Sequence, residues 1–75
     1  MKLTPMSWRR LRCVFELDGF AFHKGKGDHW VGEKRGVLRP VVIPQYSEVG
    51  LDIIRANMRT AGMPRSRFLE SLEKC

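Results

Sequence analysis

The sequence predicts a small α+β domain in which three antiparallel strands form one sheet and two helices cover one of its faces. Apolar residues recur at helical spacing near both ends of the chain and alternate with polar residues in the middle. The loops between the alternating segments are of hairpin length, which favours antiparallel neighbours. Two amphipathic helices need a common apolar surface, and one face of a three-stranded sheet supplies it.

The first helix is predicted over residues 7–18. Ser7 suits the N-cap because its hydroxyl can accept a hydrogen bond from a backbone N–H that has no partner within the helix. Trp8 and Phe15 belong to an apolar set that follows at the spacing of one helix face. Gly19 is expected to end the helix, since glycine adopts the left-handed conformation of a helix C-terminus at little cost.

Three strands are predicted next, at residues 20–24, 28–31 and 37–43. The turns 25–27 and 33–36 connect them, and both contain glycine. The third segment is rich in β-branched residues but includes Pro40, which has no N–H to give to a neighbouring strand. Pro40 is therefore expected at a sheet edge or at a bulge.

A second helix is predicted over residues 51–61, after a loop at 45–50. Its apolar residues recur every three or four positions, and Gly62 is well suited to end it. Pro64 then separates a last helical turn or two, from which apolar side chains can pack back on the core. The whole order is α-β-β-β-α with a short C-terminal helical tail.

Length and charge limit the possible functions. The chain has 75 residues, so residues 1–75 are expected to form a single domain, and a domain of this size buries only roughly 60% of its unfolded surface. A formal charge of +6 favours a polyanionic partner, which is nucleic acid, an acidic membrane surface or an acidic protein. Neither helix combines a basic face with a broad exposed apolar face, so we expect no membrane partner.

The cysteines point to no metal or redox site. Cys13 and Cys75 lack CxxC spacing, so the sequence predicts neither a zinc site nor a disulfide framework. Cys13 is expected to be a small buried apolar side chain on the first helix. Arginines interrupt the apolar residues near the start of the chain, so we expect no secretory signal and a cytoplasmic protein.

The candidate functional segment spans residues 23–30. Gly25 and Gly27 let the backbone approach a ligand closely. Lys24 and Lys26 supply point charges that suit phosphate. A glycine–lysine–glycine turn is more often a solvated hairpin than a binding loop, so this pattern alone does not establish a site.

His29 follows this turn, and histidine is the residue type that gains and loses a proton near neutral pH. The basic turn Lys34-Arg35 can extend the positive surface. A lone histidine on a small sheet is more often a surface residue than a catalytic one, and Trp30 is more often core than a platform for bases. The histidine pair, without a nearby cysteine pair, is a weak metal signal, so no metal or other cofactor is expected.

The chain resembles the HicA toxin family in the order and spacing of short motifs between residues 7 and 72. The motifs lie at residues 17–20 (LDGF), 26–29 (KGDH), 41–44 (VVIP), 54–63 (IRANMRTAGM) and 67–69 (RFL). This resemblance implies a fold similar to double-stranded-RNA-binding domains. It also implies the toxin of a type II toxin–antitoxin system, an mRNA interferase that a HicB-type antitoxin protein neutralises.

The resemblance assigns catalysis to His29, because the family's histidine follows a glycine and a small residue, often serine, at the start of the second strand. Asp28 stands at the position of that small residue here, and it is a possible orienting group for His29. The implied reaction needs no metal. The ribose 2′-OH attacks the adjacent phosphate, while Lys24, Lys26 and the backbone of residues 25–27 stabilise the charge.

Two alternatives stay open. The same basic surface suits a non-catalytic RNA-binding module, since double-stranded-RNA-binding domains read shape and 2′-OH groups. It also suits a protein-interaction module that docks an acidic partner. Whether His23 assists His29 is undetermined, because the sequence does not settle the register across the intervening turn.

Overall fold

The computed structural model describes residues 2–75 and confirms the α+β class and the three-stranded antiparallel sheet. The element order is α-β-β-β-α-α. The helices are α1 (Trp8–Leu17), α2 (Leu51–Ala61) and α3 (Arg65–Glu73), and the strands are β1 (Ala21–Lys24), β2 (His29–Glu33) and β3 (Val41–Pro44).

Both ends of α1 follow the prediction. The Ser7 hydroxyl oxygen accepts a hydrogen bond from the Arg10 backbone N–H at 3.3 Å, which satisfies one free donor of the first turn. Gly19 has a φ of 99°, which lies in the region that favours glycine, and its N–H donates to the Glu16 carbonyl. The chain can therefore turn sharply from the helix into β1.

The strands lie in the order β1-β2-β3, and every neighbouring pair is antiparallel. Trp30 of β2 lies opposite Lys24 of β1 and Ile43 of β3. The next residue, Val31, lies opposite His23 and Val42. Because side chains alternate along a strand, these two rows project from opposite faces of the sheet.

Three predicted segments were wrong in extent, and the first is the second strand, which continues to Glu33 and not only to residue 31. The third strand begins at Val41 and not at residue 37, because Pro40 cannot donate to a ladder and pairing starts only after it. Residues 37–40 instead form a loop in which Val37 packs against the core and residues 38–40 are exposed. The Val37 N–H donates to the Lys34 carbonyl in the preceding turn. The C-terminal tail is longer than predicted, since α3 is a helix of nine residues.

The core lies between the helices and one face of the sheet. Phe15 of α1 meets Phe20 and Phe68 edge-on, with ring centroids 5.6 and 6.2 Å apart. Val41 and Ile43 of β3 are fully buried, whereas Val42 between them is 41% exposed. The helices therefore cover one sheet face, which we call the covered face, and leave the other, the open face, to solvent.

The Asn57 side chain of α2 forms two hydrogen bonds with the backbone at the outer edge of β3. Its side-chain Nδ2 donates to the Val42 carbonyl at 2.9 Å, and its Oδ1 accepts from the Val42 N–H at 3.2 Å. The side chain is buried, and it takes the place that a further strand would occupy. This pair of hydrogen bonds fixes α2 beside the sheet.

The structure corrects the expectation for Cys13. Its side chain is half-buried and forms a disulfide with Cys75, with the two Cα atoms 6.1 Å apart. The packing of α3 against α1 brings the two sulfurs together across a sequence separation of 62 residues, which no local pattern signals. Among residues 2–75, no helix is both long and apolar enough to cross a membrane.

Candidate functional site

His29 is the first residue of β2, and its side chain is exposed. The next residue, Trp30, stacks on Trp8 of α1 and therefore projects from the covered face. Since successive side chains point to opposite sides of a strand, His29 projects from the open face. Its backbone carbonyl accepts a hydrogen bond from the Gly25 N–H at 2.9 Å, which closes the hairpin.

His23 shares the open face with His29. It lies opposite Val31, and His29 precedes Val31 by two positions on the same strand. The two histidines are therefore diagonal neighbours on adjacent strands. Residues in this relation have Cα atoms about 7–8 Å apart. Both imidazoles are exposed. The pairing answers the register question that the sequence left open.

The hairpin between the two strands forms one margin of this site. Lys26, Gly27 and Asp28 are all exposed, and Gly27 has a φ of 62° that a residue with a side chain rarely adopts. The Asp28 carbonyl accepts from the Gln45 N–H at 2.8 Å, so the hairpin is attached to the segment after β3. The Asp28 carboxylate makes no hydrogen bond to His29 among residues 2–75.

Lys24 does not belong to the same surface as His29. It projects from the covered face, where its Nζ donates to Gln45 Oε1 at 2.7 Å and lies 5.1 Å from the centre of the Trp30 ring. The contacts of Lys24 thus differ from those of His29, and its role at a phosphate held by His29 stays a prediction. Lys26 is exposed in the hairpin, three positions before His29.

Lys34 and Arg35 lie at the other end of β2. Lys34 follows the last residue of that strand, and the four steps from His29 to Glu33 span about 13 Å. The Lys34 ammonium pairs with Asp18 at 3.4 Å, and Arg67 contacts the same carboxylate, whose side chain is only 4% exposed. Lys34 thus pairs with a buried carboxylate while its own side chain stays partly exposed, and Arg35 is exposed in the turn.

The sequence analysis did not predict a second group of side chains that the fold brings together. Trp8 and Trp30 stack with their ring centroids 5.4 Å apart and their planes within 8°. Three cations lie close to these rings: Arg9, Arg12 and Lys24. Helix α1 and β2 bring this group together, and no spacing within either element reveals it.

The described residues offer no metal centre, since residues 2–75 hold no group of three or more His, Cys, Asp or Glu side chains suited to a metal ion. No known family model, curated protein or solved structure matches the chain.

Proposed function

We propose that the protein is a metal-independent endoribonuclease whose acid–base groups are His29 and His23. The observation that carries the proposal is the pair of exposed imidazoles on the open face of the sheet, beside a hairpin that carries Lys26. The net charge of +6 supports a polyanionic substrate. The motif resemblance to the HicA toxins assigns the catalytic role to the same His29.

The reaction is a transesterification within the RNA strand. His29 removes the proton from the ribose 2′-OH, and the 2′-oxygen attacks the adjacent phosphorus. The bond from phosphorus to the 5′-oxygen breaks as the new bond forms, and His23 gives a proton to the departing oxygen. The products are a 2′,3′-cyclic phosphate and a 5′-hydroxyl. Each proton transfer contributes about 10²- to 10⁴-fold to the rate.

Lys26 stabilises the negative charge that develops on the phosphate. Its flexible side chain and exposed position let the ammonium reach a phosphate lying across the two histidines. The Gly25 N–H is not available for this task, because it already donates to the His29 carbonyl. Gly27 has no side chain, so the tip of the hairpin leaves room for the RNA strand.

The biological role follows from the resemblance. The protein acts as a toxin that cleaves mRNA in the cytoplasm, and a HicB-type antitoxin protein neutralises it by covering the open face. An inhibitor of this surface should present acidic or apolar groups, because Lys26 borders the face and the apolar Val31 and Val42 lie on it. Because disulfides are rare in the cytosol, this location also predicts that Cys13 and Cys75 are reduced in the cell.

The test uses a DNA oligonucleotide that carries one ribonucleotide, with and without EDTA. The wild-type protein should cleave after the ribonucleotide in the presence of EDTA and leave a cyclic phosphate, whereas an all-deoxy strand should stay intact. His29→Ala should abolish cleavage. Cleavage that needs a metal, or that persists in His29→Ala, would show that the proposed function is wrong.

A second candidate function is a non-catalytic RNA-binding module. The observation that favours it is the stacked tryptophan pair with its three cations, which suits nucleic-acid binding without any chemistry. A wild-type protein that binds the same oligonucleotide but leaves its single ribonucleotide uncut would support this candidate.

A further inference from the structure

A group of aromatic and cationic side chains lies on the covered face at the hairpin end of the sheet, where α1 meets β2. We call the group of Trp8, Trp30, Arg9, Arg12 and Lys24 the tryptophan–cation cluster. The guanidinium carbon of Arg9 lies 5.0 Å from the Trp8 ring centre, and Lys24 Nζ lies 5.1 Å from the Trp30 ring centre. Arg12 approaches both rings, at 5.2 and 4.8 Å.

The positive charge of this cluster is mostly not neutralised. Arg12 has a carboxylate partner, Glu16, but their closest atoms are 3.8 Å apart and both side chains are partly exposed. Arg9 and Lys24 pair with no carboxylate among residues 2–75. The Lys24 ammonium instead donates to the neutral amide oxygen of Gln45. Three like charges are thus held near two rings, which leaves a local excess of positive charge.

The two rings are accessible enough to take part in binding. Both indoles are half-buried, and both exposed cations, Arg9 and Lys24, lie where solvent reaches them. The Trp30 Nε1 donates to Gln45 Oε1 at 3.1 Å, so Gln45 orients the ring and the Lys24 ammonium together. Gln45 therefore fixes the Trp30 and Lys24 part of the cluster.

We propose that the tryptophan–cation cluster binds single-stranded nucleic acid. Phosphates pair with Arg9, Arg12 and Lys24. The indole faces already contact each other and these cations, so an unpaired base stacks on the exposed Arg9 guanidinium plane. Cations that track the backbone, combined with aromatic faces for bases, are the recurring features of sites for single strands. A duplex fits less well, because its bases are already stacked and paired.

This site goes beyond the proposed cleavage and does not depend on it. Trp30 and His29 are consecutive residues, so the cluster and the histidines lie at the same end of the sheet on opposite faces. A strand held by the cluster can pass the exposed hairpin residues Lys26 and Gly27 to reach the open face. The cluster can also hold a nucleic-acid strand that is not cut.

Intrinsic fluorescence tests the proposal directly, because the chain has two tryptophans and both belong to the cluster. The probe is an all-deoxy oligothymidylate of about ten nucleotides, within the range of known single-strand sites and resistant to this cleavage chemistry. Titration of the wild-type protein should change the fluorescence saturably. Binding should weaken with salt, and each phosphate contact should add about 0.7 to the slope of log K against log salt.

The variant Arg9→Gln/Lys24→Gln should reduce the affinity at least about tenfold and lower the salt slope by about 1.4, which corresponds to two lost phosphate contacts. It keeps both indoles, and circular dichroism and thermal unfolding check that it is folded. The matched control is Arg55→Gln/Arg59→Gln, which removes the same charge from exposed positions on α2. Arg9→Lys/Lys24→Arg should retain most of the affinity.

Several results would overturn the proposal. An equal loss of affinity in the α2 control would show that only net charge matters. The absence of a fluorescence change in the wild-type protein would exclude the site, and equal or tighter binding of duplex DNA, polyglutamate or anionic vesicles would assign the surface to another partner. The variant His29→Ala should titrate like the wild type, so loss of catalysis and loss of binding are separable.

Discussion

The two faces of the sheet carry different properties, although neighbouring residues supply both. On the open face, His23 and His29 are exposed and make no hydrogen bond to another side chain among residues 2–75. On the covered face, Lys24 and Trp30 are each held by Gln45. Adjacent positions in a strand therefore meet different surroundings, because side chains alternate between the two faces.

The largest expected effect tests the open face as the site of chemistry. His29→Asn and His23→Asn should each lower the rate of single-turnover RNA cleavage by about 10²- to 10⁴-fold, because each removes one proton transfer. A His23→Asn variant that keeps the wild-type rate would restrict the catalytic role to His29.

The same two variants should leave the stability of the protein unchanged. Exposed positions without structural contacts usually alter stability by less than about 0.5 kcal/mol. The midpoint of urea unfolding should therefore stay close to that of the wild type in both His→Asn variants. A large shift would mean that the open face contributes to folding and not only to chemistry.

The covered side of the molecule should carry the stability, and the disulfide between α1 and the C-terminal residue should contribute to it. A closed loop of this length corresponds to roughly 4 kcal/mol of lost entropy in the unfolded chain. Cys13→Ser and Cys75→Ser should each lower the free energy of unfolding by this order under oxidising conditions. Under reducing conditions both variants should match the wild type, and unequal effects would point to roles beyond their shared bond.

The edge of β3 is the next test of the covered side. Asn57→Ala removes both hydrogen bonds to Val42 and leaves a backbone N–H and a carbonyl without their partner. The expected loss is about 2–4 kcal/mol in the free energy of unfolding, measured with urea. The matched control on the same helix is Thr60→Ala, whose hydroxyl only donates back to the Ala56 carbonyl, and its effect should be below about 0.5 kcal/mol.

The smallest expected effects separate two lysines of one hairpin. Lys26→Gln should lower kcat for RNA cleavage by about threefold to tenfold, because an exposed charge stabilises the reacting phosphate only modestly. Lys24→Gln should instead raise KM and change kcat by less than about twofold, since Lys24 lies on the covered face. If Lys26→Gln and Lys24→Gln changed kcat and KM in the same proportion, the two faces would not have separate functions.

Much of the fold could be predicted because its signals are local. Ser7 and Gly19 bound α1, and Gly62 ends α2 in a left-handed conformation with a φ of 63°. The third strand was predicted too long because Val37 and Leu38 before Pro40 are apolar but have no strand partner. The length of α3 was underestimated because its apolar residues are few and gain stability by packing against α1.

The candidate site was only partly predictable. His29 and Lys26 were found from the hairpin pattern, and their exposure agrees with a role at a surface. Lys34 was grouped with them on the basis of charge, but its ammonium pairs with the buried Asp18. Charge in a sequence does not indicate which carboxylate a lysine will meet, since that contact depends on how α1 and the sheet are packed together.

The sequence by itself determined the helices, the hairpin with its glycines, the basic charge and the exposed histidine, because each depends on residues within a few positions of one another. Only the tertiary structure places His23 on the same face as His29, and Lys24 on the opposite face. It also stacks Trp8 on Trp30 and brings Cys13 into a disulfide with Cys75. These relations depend on strand register and on the packing of distant elements, and neither is encoded in local periodicity.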